Sequence, residues 1–267
     1  MIRNKILALA STMCLCGCLG MASSYTGDAL LELPAIEAGE SPIIYYVDDD
    51  GVNHLAYTVL FDEEHLIPAW VAYDLTEHES RGTAERGQKA FRPDENAGVR
   101  QAVDSDYRRS GYTRGHMAPA ADFKWNDEAM WDTFYFTNCC PQTAQMNAGA
   151  WEDVEGMVRR LARYYGTVYV VTGPILEGNS HKTIGKNNVT VPEKFFKALL
   201  ICDNQEWFSI GFVMNNDDDP QTVRGSMLTV NDLERMVGLD LFHNMPDSYE
   251  EDVEDQLDAE RWLKFVR

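Results

Sequence analysis

The stretch Gly111-Tyr112-Thr113-Arg114-Gly115-His116-Met117-Ala118-Pro119 sets one histidine between a glycine and a nearby proline. Backbone geometry, more than packing, directs a histidine so placed, and imidazole takes a proton from water near neutral pH. Further along, Asn147, Trp151, Glu155 and Arg159 fall at four-residue steps. On one ideal helix these form a stripe that drifts about 40° per step, with Asn147 and Glu155 roughly 12 Å apart along the axis. That is too far for both to bind one ion, yet Glu155 can hold a water of an ion bound at Asn147. The plain alternative is an N-capping asparagine followed by a surface pair, Glu155 with Arg159. Taken singly, neither the histidine nor the helix decides.

Outward from this stretch, the hydrophobic pattern predicts strands at residues 43–47, 54–61 and 68–75. In the second, Leu55, Tyr57, Val59 and Phe61 alternate with the period of a half-buried strand. Residues 76–107 are polar and lack periodicity, and irregular segments this long are more often functional than decorative. Residues 134–136 read as a short buried strand. A helix is expected over 148–165, where Trp151, Val154, Val158, Leu161 and Ala162 recur at three and four spacing. An apolar strand at 168–171 is closed by Gly173-Pro174. A strand pair, 195–202 and 207–214, turns at Asp203-Asn204-Gln205, and helices are expected at 231–237 and 249–266. There is no internal repeat and no linker, so residues 42–267 read as one α+β domain with a mixed or antiparallel sheet.

Composition bounds the partners. The 267 residues are 45% apolar and 25% charged, with a formal net charge of −20. That balance alone repels a polyanion. The charge is uneven, however: residues 81–124 carry nine basic against six acidic side chains, whereas 215–267 carry 14 acidic against five basic. One basic region on an acidic body suits a local phosphate site, and chance gives the same excess about as readily.

At the N-terminus, Arg3 and Lys5 precede an apolar run over residues 6–15 that is too short to span a bilayer. Residues 1–22 read as an export leader and 23–41 as a tether. Leu15-Cys16-Gly17-Cys18 resembles a lipobox, which makes Cys18 the expected lipidation site; ordinary cleavage near Gly20-Met21-Ala22 is the alternative. The expected location is therefore periplasmic, at the cell surface as a lipoprotein, or secreted, with the membrane as partner if Cys18 is acylated. Cys139, Cys140 and Cys202 then remain. Three thiols in strands is the favoured reading over a bridge from one of the adjacent pair to Cys202. No CxxC spacing occurs, so no structural zinc is expected.

Four ordered motifs go further together. Tyr112 to Phe123, then Phe134-Tyr135-Phe136-Thr137-Asn138-Cys139-Cys140-Pro141-Gln142, then Met146-Asn147-Ala148-Gly149-Ala150-Trp151-Glu152-Asp153-Val154-Glu155, then Val170-Val171-Thr172-Gly173-Pro174 resemble the DNA/RNA non-specific endonuclease family. Gly238-Leu239-Asp240-Leu241-Phe242 resembles a tail element of the same family. The resemblance implies a ββα-metal finger core and hydrolysis of DNA and RNA phosphodiesters without sequence preference, leaving 5′-phosphates. By position, His116 matches the general base and Asn147 the sole direct protein ligand of Mg²⁺, or of Mn²⁺ or another divalent ion. Glu155 matches a carboxylate holding that ion's water, Arg114 the signature arginine, Arg159 an arginine facing substrate, and Asn138 an asparagine near the site. Arg86, Lys89 and Arg92 are candidates for substrate contacts, Arg86 and Lys89 being the two for a family arginine that precedes Phe91-Arg92-Pro93-Asp94.

One position departs from the family pattern: Thr113 stands where an aspartate is usual. Threonine keeps a hydrogen-bonding oxygen but brings no charge, which points to reduced activity or altered metal preference. Two rival readings follow, a nucleic-acid-binding protein that no longer cuts and a metal hydrolase of a small phosphodiester.

Overall fold

The computed structural model describes residues 30–266. In chain order the strands are β1 (Ile43–Asp49), β2 (Val52–Asp62), β3 (Ile67–Thr76), β4 (Thr113–His116), β5 (Cys139–Gln142), β6 (Thr167–Ile175), β7 (Thr183–Ile184), β8 (Val189–Thr190), β9 (Lys194–Asp203), β10 (Glu206–Asn215) and β11 (Met227–Leu228). The helices are α1 (Asp104–Tyr107), α2 (Asp127–Asp132), α3 (Ala144–Asn147), α4 (Ala150–Tyr165), α5 (Val223–Ser226), α6 (Val230–Val237), α7 (Asp247–Glu254) and α8 (Ala259–Leu263).

Seven strands form one sheet in the order β1-β2-β3-β6-β9-β10-β11, every pairing antiparallel. Alternation along β9 explains how it serves two cores: Phe195, Leu199 and Ile201 join one, Phe196, Ala198 and Leu200 the other. The β9–β10 hairpin closes through Asn204 and Gln205, both at positive φ, the geometry that matches strand twist in a two-residue turn. On one face α4 buries Trp151, Val154, Met157, Val158, Leu161 and Ala162. Helices α6 and α7 pack near β10, with Val230, Leu233 and Val253 in the second core. The two-stranded β4–β5 unit, followed by α3 and α4, stands apart from the large sheet.

The α+β reading holds, with local corrections. Residues 134–136 are not a strand: a 3-10 turn occupies Phe136–Asn138 and the strand begins at Cys139. Strand β6 runs on through Gly173 and Pro174, which pair with β9 after the pairing with β3 has ended at Thr172. A proline, lacking an N–H, is tolerated beside an unpaired edge. The expected helix over 249–266 is two, because Asp258 caps α8 by accepting from the Arg261 amide at 3.2 Å. Part of the expected tether is packed on the body: Leu31 is buried, and the Ala35 amide donates to the Asp240 carbonyl at 2.8 Å. Among the described residues Cys139, Cys140 and Cys202 are free thiols. No described helix is long and apolar enough to cross a membrane.

Candidate active site

Strand β4 pairs with β5 so that Thr113 faces Gln142, Gly115 faces Cys140 and His116 faces Cys139. The Thr113 hydroxyl donates to the Gln142 carbonyl at 2.9 Å. Thr143 then caps α3, accepting from the Met146 amide at 3.2 Å, and Asn147 is the last residue of that helix. Its Nδ2 donates to Thr113 Oγ1 at 3.2 Å, while among the described residues no donor reaches its Oδ1. The chain breaks at Ala148-Gly149 before α4 begins. Asn147 is thus neither on the helix of Glu155 nor its cap, and the stripe expected from four-residue spacing is divided between two helices.

His116 closes β4 between the rings of Phe91 and Phe134, at centroid distances of 4.5 and 4.8 Å. Its Nε2 is enclosed and has no hydrogen-bond partner among the described residues. Burial, with the Arg86 charge second, lowers the imidazole to about 3, so it is a neutral proton acceptor at physiological pH. Asn138 is fully buried and works within the scaffold. Its Oδ1 accepts from the Ala118 amide at 2.8 Å, and its Nδ2 donates to the Ala118 and Thr133 carbonyls, each at 2.9 Å. It therefore holds the segment that follows His116 and has no free polar atom to offer a substrate.

The three basic candidates from the long irregular segment separate. The Arg86 guanidinium lies 4.9 Å from the centroid of the Phe134 ring beside His116 and forms no ion pair among the described residues. Lys89 pairs with Asp127 at 3.1 Å. Arg92 pairs with Asp132 at 3.2 Å and lies 4.0 Å from the ring centroids of both Trp131 and Tyr135. Arg114 is engaged by Asp104, donating to its Oδ1 at 2.6 Å.

Behind α4 lies a charge group that the motifs did not announce. Arg159 donates to Asp122 Oδ1 at 2.7 Å, and the Tyr73 hydroxyl donates to Asp122 Oδ2 at 2.8 Å. Burial raises the Glu155 carboxyl, and the chief opposing charge is Lys197. Burial lowers the Lys197 ammonium, which is fully enclosed, has no hydrogen-bond partner among the described residues and lies 4.9 Å from the Trp151 ring centroid. A lysine inside the apolar run of a central strand was the available signal for it. Nothing local marked Asp122.

The arrangement combines a neutral imidazole, a carboxamide oxygen without a donor and an unpaired guanidinium around one small finger. Comparison with known proteins adds the lineage. The family model described as "DNA/RNA non-specific endonuclease" matches residues 43–248. The chain belongs to the DNA/RNA non-specific endonuclease family. Within that family it is 38% identical to "Endonuclease G, mitochondrial" of Homo sapiens over 156 residues, 55% of this chain and 52% of the relative. It is 35% identical to "Nuclease EXOG, mitochondrial" of Danio rerio over 212 residues, 73% of this chain and 62% of the relative. "Nuclease 1, mitochondrial" of Schizosaccharomyces pombe is 35% identical over 219 residues, 75% and 68% of the two chains. The match thus spans about half the length of the human endonuclease G. Among solved structures, "Crystal structure of the EndoG/EndoGI complex: Mechanism of EndoG inhibition" matches with TM-score 0.69 and 27% identity, covering 85% of this chain and 95% of that one.

These relatives overturn one expectation. The leader reads as an export signal, to the periplasm, the cell surface or the medium, whereas the family members the chain matches are named as mitochondrial. The physical reason is an ambiguity of composition. The lack of acidic residues before Asp28 is a feature that organelle transit peptides share with export leaders, so it does not separate the two. Residues 1–22, with Cys18 and the expected lipid anchor, lie outside the described residues.

Proposed function

We propose that the chain is a metal-dependent endonuclease that hydrolyses phosphodiester bonds of DNA and RNA without sequence preference and leaves 5′-phosphates. One observation carries the reading: the Asn147 carboxamide is bonded to the first residue of β4, and the last residue of that four-residue strand is His116. The two groups are thereby tied to the ends of one strand about 10 Å long.

The residues fit a hard divalent ion. Mg²⁺ keeps several waters and needs few protein ligands, and the Asn147 Oδ1 has no competing donor among the described residues. In this reading Asn147 would be the direct ligand, and Glu155, whose charged form Lys197 favours against burial, would face the ion's water. When bound, the ion supplies positive charge against the phosphate being attacked. His116 accepts the proton of the attacking water, a step worth about 10²–10⁴-fold. Arg86 is the family arginine of the two candidates, since its guanidinium has no carboxylate partner among the described residues, and it bears on the negative charge that grows on phosphorus. Arg159, oriented by Asp122, lies on the same helix as Glu155. Contacts confined to phosphate carry no sequence information, which accounts for action on both DNA and RNA.

The test is plasmid nicking with Mg²⁺ or Mn²⁺, wild type against His116→Ala. The variant should lose about 10²–10⁴-fold in rate while still binding DNA. Equal inertness of both proteins, with DNA still retained, would leave a binding protein without catalysis, the reading that Thr113 in place of an aspartate favours.

A further inference from the structure

We propose that a basic pocket between residues 105–110 and 182–186 holds a second, non-reacting phosphate of the nucleic-acid strand, outside the candidate active site. The inference rests on the nuclease reading above and extends it to a second subsite.

The pocket has a volume of about 320 Å³, and its lining includes Arg108, Arg109, Lys182 and Lys186. Four cations against one lining carboxylate, Asp106, leave the concavity positive on a chain of net charge −20. Arg108 is answered by Asp104 at 2.7 Å. Among the described residues no carboxylate pairs with Arg109, Lys182 or Lys186. An unpaired cluster of like charges repels itself, and a phosphate is the partner that offsets the repulsion.

The pocket is built, not a chance meeting of two mobile loops. Asp106 is itself part of the lining, buried, and joins the two sides of the pocket. Its carboxylate accepts from the Val103 amide at 3.0 Å on one side, and from the Lys186 amide at 3.0 Å and Asn187 Nδ2 at 2.8 Å on the other. Burial opposes that charge, yet the hydrogen bonds from Asn187 and the backbone hold its carboxyl below the usual carboxylate range. Gly185, at φ +69°, permits the approach, since a Cβ there would stand 2.3 Å from the Asp106 side chain.

One wall of the pocket also touches the residue that leads into β4. The Lys182 ammonium lies 4.8 Å from the ring centroid of Tyr112, the residue before Thr113, and Thr113 is the residue bonded to Asn147. Strand β4 separates this end from His116 by about 10 Å. Successive phosphates of one strand advance about 3.4 Å along the duplex axis, so the same strand reaches both places within a few nucleotides. The chemistry selects a polyanion: a lone small phosphodiester at His116 does not extend to the pocket.

The triple variant Arg109→Asn, Lys182→Gln, Lys186→Gln tests this. All three side chains are exposed, and asparagine tolerates the positive φ of Arg109. Binding of a fluorescent 20-nucleotide DNA is followed from 50 to 200 mM salt with the divalent ion chelated, beside hydrolysis of bis(p-nitrophenyl) phosphate with Mg²⁺ or Mn²⁺. The expected result is at least a tenfold loss of DNA affinity at low salt and a salt slope shallower by roughly 0.7–0.9, since the one phosphate left without its cations removes that much from the slope. Hydrolysis of the small diester should stay within twofold of wild type. Unchanged affinity and slope would overturn the pocket, as would equal losses on both substrates. A wild type that is inert on DNA and on the small diester refutes the nuclease reading instead, and the binding measurement still decides the pocket.

Discussion

At the scale of single residues, Lys197 is the least expected participant. It lies on β9 between Phe196 and Ala198, wholly buried, with an ammonium that finds the Trp151 ring but no hydrogen-bond acceptor among the described residues. A buried cation so placed costs stability unless a carboxylate answers it, and Glu155 is the largest such influence on it. Replacing Lys197 by methionine keeps the volume and removes the charge. We expect the melting temperature of Lys197→Met to be unchanged or higher, while turnover falls about tenfold or more. Glu155→Gln should lose a similar factor, and the double variant no more than either single one, since the two groups act as a unit. Rate losses that multiply in the double variant would show that the groups act independently. Thr113 belongs to this scale as well. The sequence showed that it brings no charge, and its hydroxyl is the atom that accepts the Asn147 amide.

At the scale of elements, the β4–β5 finger depends on one close approach. A Cβ on Gly115 would stand 1.9 Å from Gln142 Oε1 and 2.2 Å from its Cδ, and the Gln142 side chain is fully buried with neither amide atom bonded. The buried glutamine must shift to admit the methyl group, so Gly115→Ala should destabilise the protein by about 1–3 kcal/mol, as overpacking does. Adding Gln142→Ala should recover most of that loss, and thermal unfolding of the three variants checks it. A second substitution that deepens the loss would show that Gln142 matters for more than its bulk. The break between α3 and α4 is the other element-scale result. Four-residue spacing predicted one stripe on one helix, but Gly149 lies outside helical geometry at φ −112° and ψ −128°, so Asn147 is oriented by Thr113 and not by the axis of α4.

At the scale of the whole molecule, charge governs the response to pH. Burial raises the carboxyls of Glu254 to about 9 and of Glu234 and Glu32 to about 7, with neighbouring carboxylates adding to each. A group whose folded pKa is raised keeps a proton that the unfolded chain releases near pH 4.3. Its contribution is full below that value and is lost as pH climbs toward the folded pKa. His54 acts in the same direction, its pKa raised by the hydrogen bond to Glu79. His116, lowered, changes stability only below about pH 6.5. The melting temperature should therefore fall between pH 6.5 and 8.5, and Glu254→Gln should flatten that fall and raise the value at pH 8.5. Scanning calorimetry across the interval measures both, and a rise with pH would contradict the reading.

Local pattern was enough for much of this protein. The period-2 runs in β2, the Asp203-Asn204-Gln205 turn, the buried stripe of α4 and the four ordered motifs are all legible within short windows, because each depends on neighbours a few residues apart. What the windows could not hold was decided by segments meeting in space. Arg86 faces His116 while Lys89 and Arg92 find Asp127 and Asp132, and Lys197 meets α4 across the core. Leu31 is buried, and its neighbours Leu30 and Ala35 bond to Asn244 and Asp240, more than 200 residues further along. Burial and ion pairing join residues far apart in sequence, and their strength depends on distance and exposure, quantities that exist only once the chain has folded.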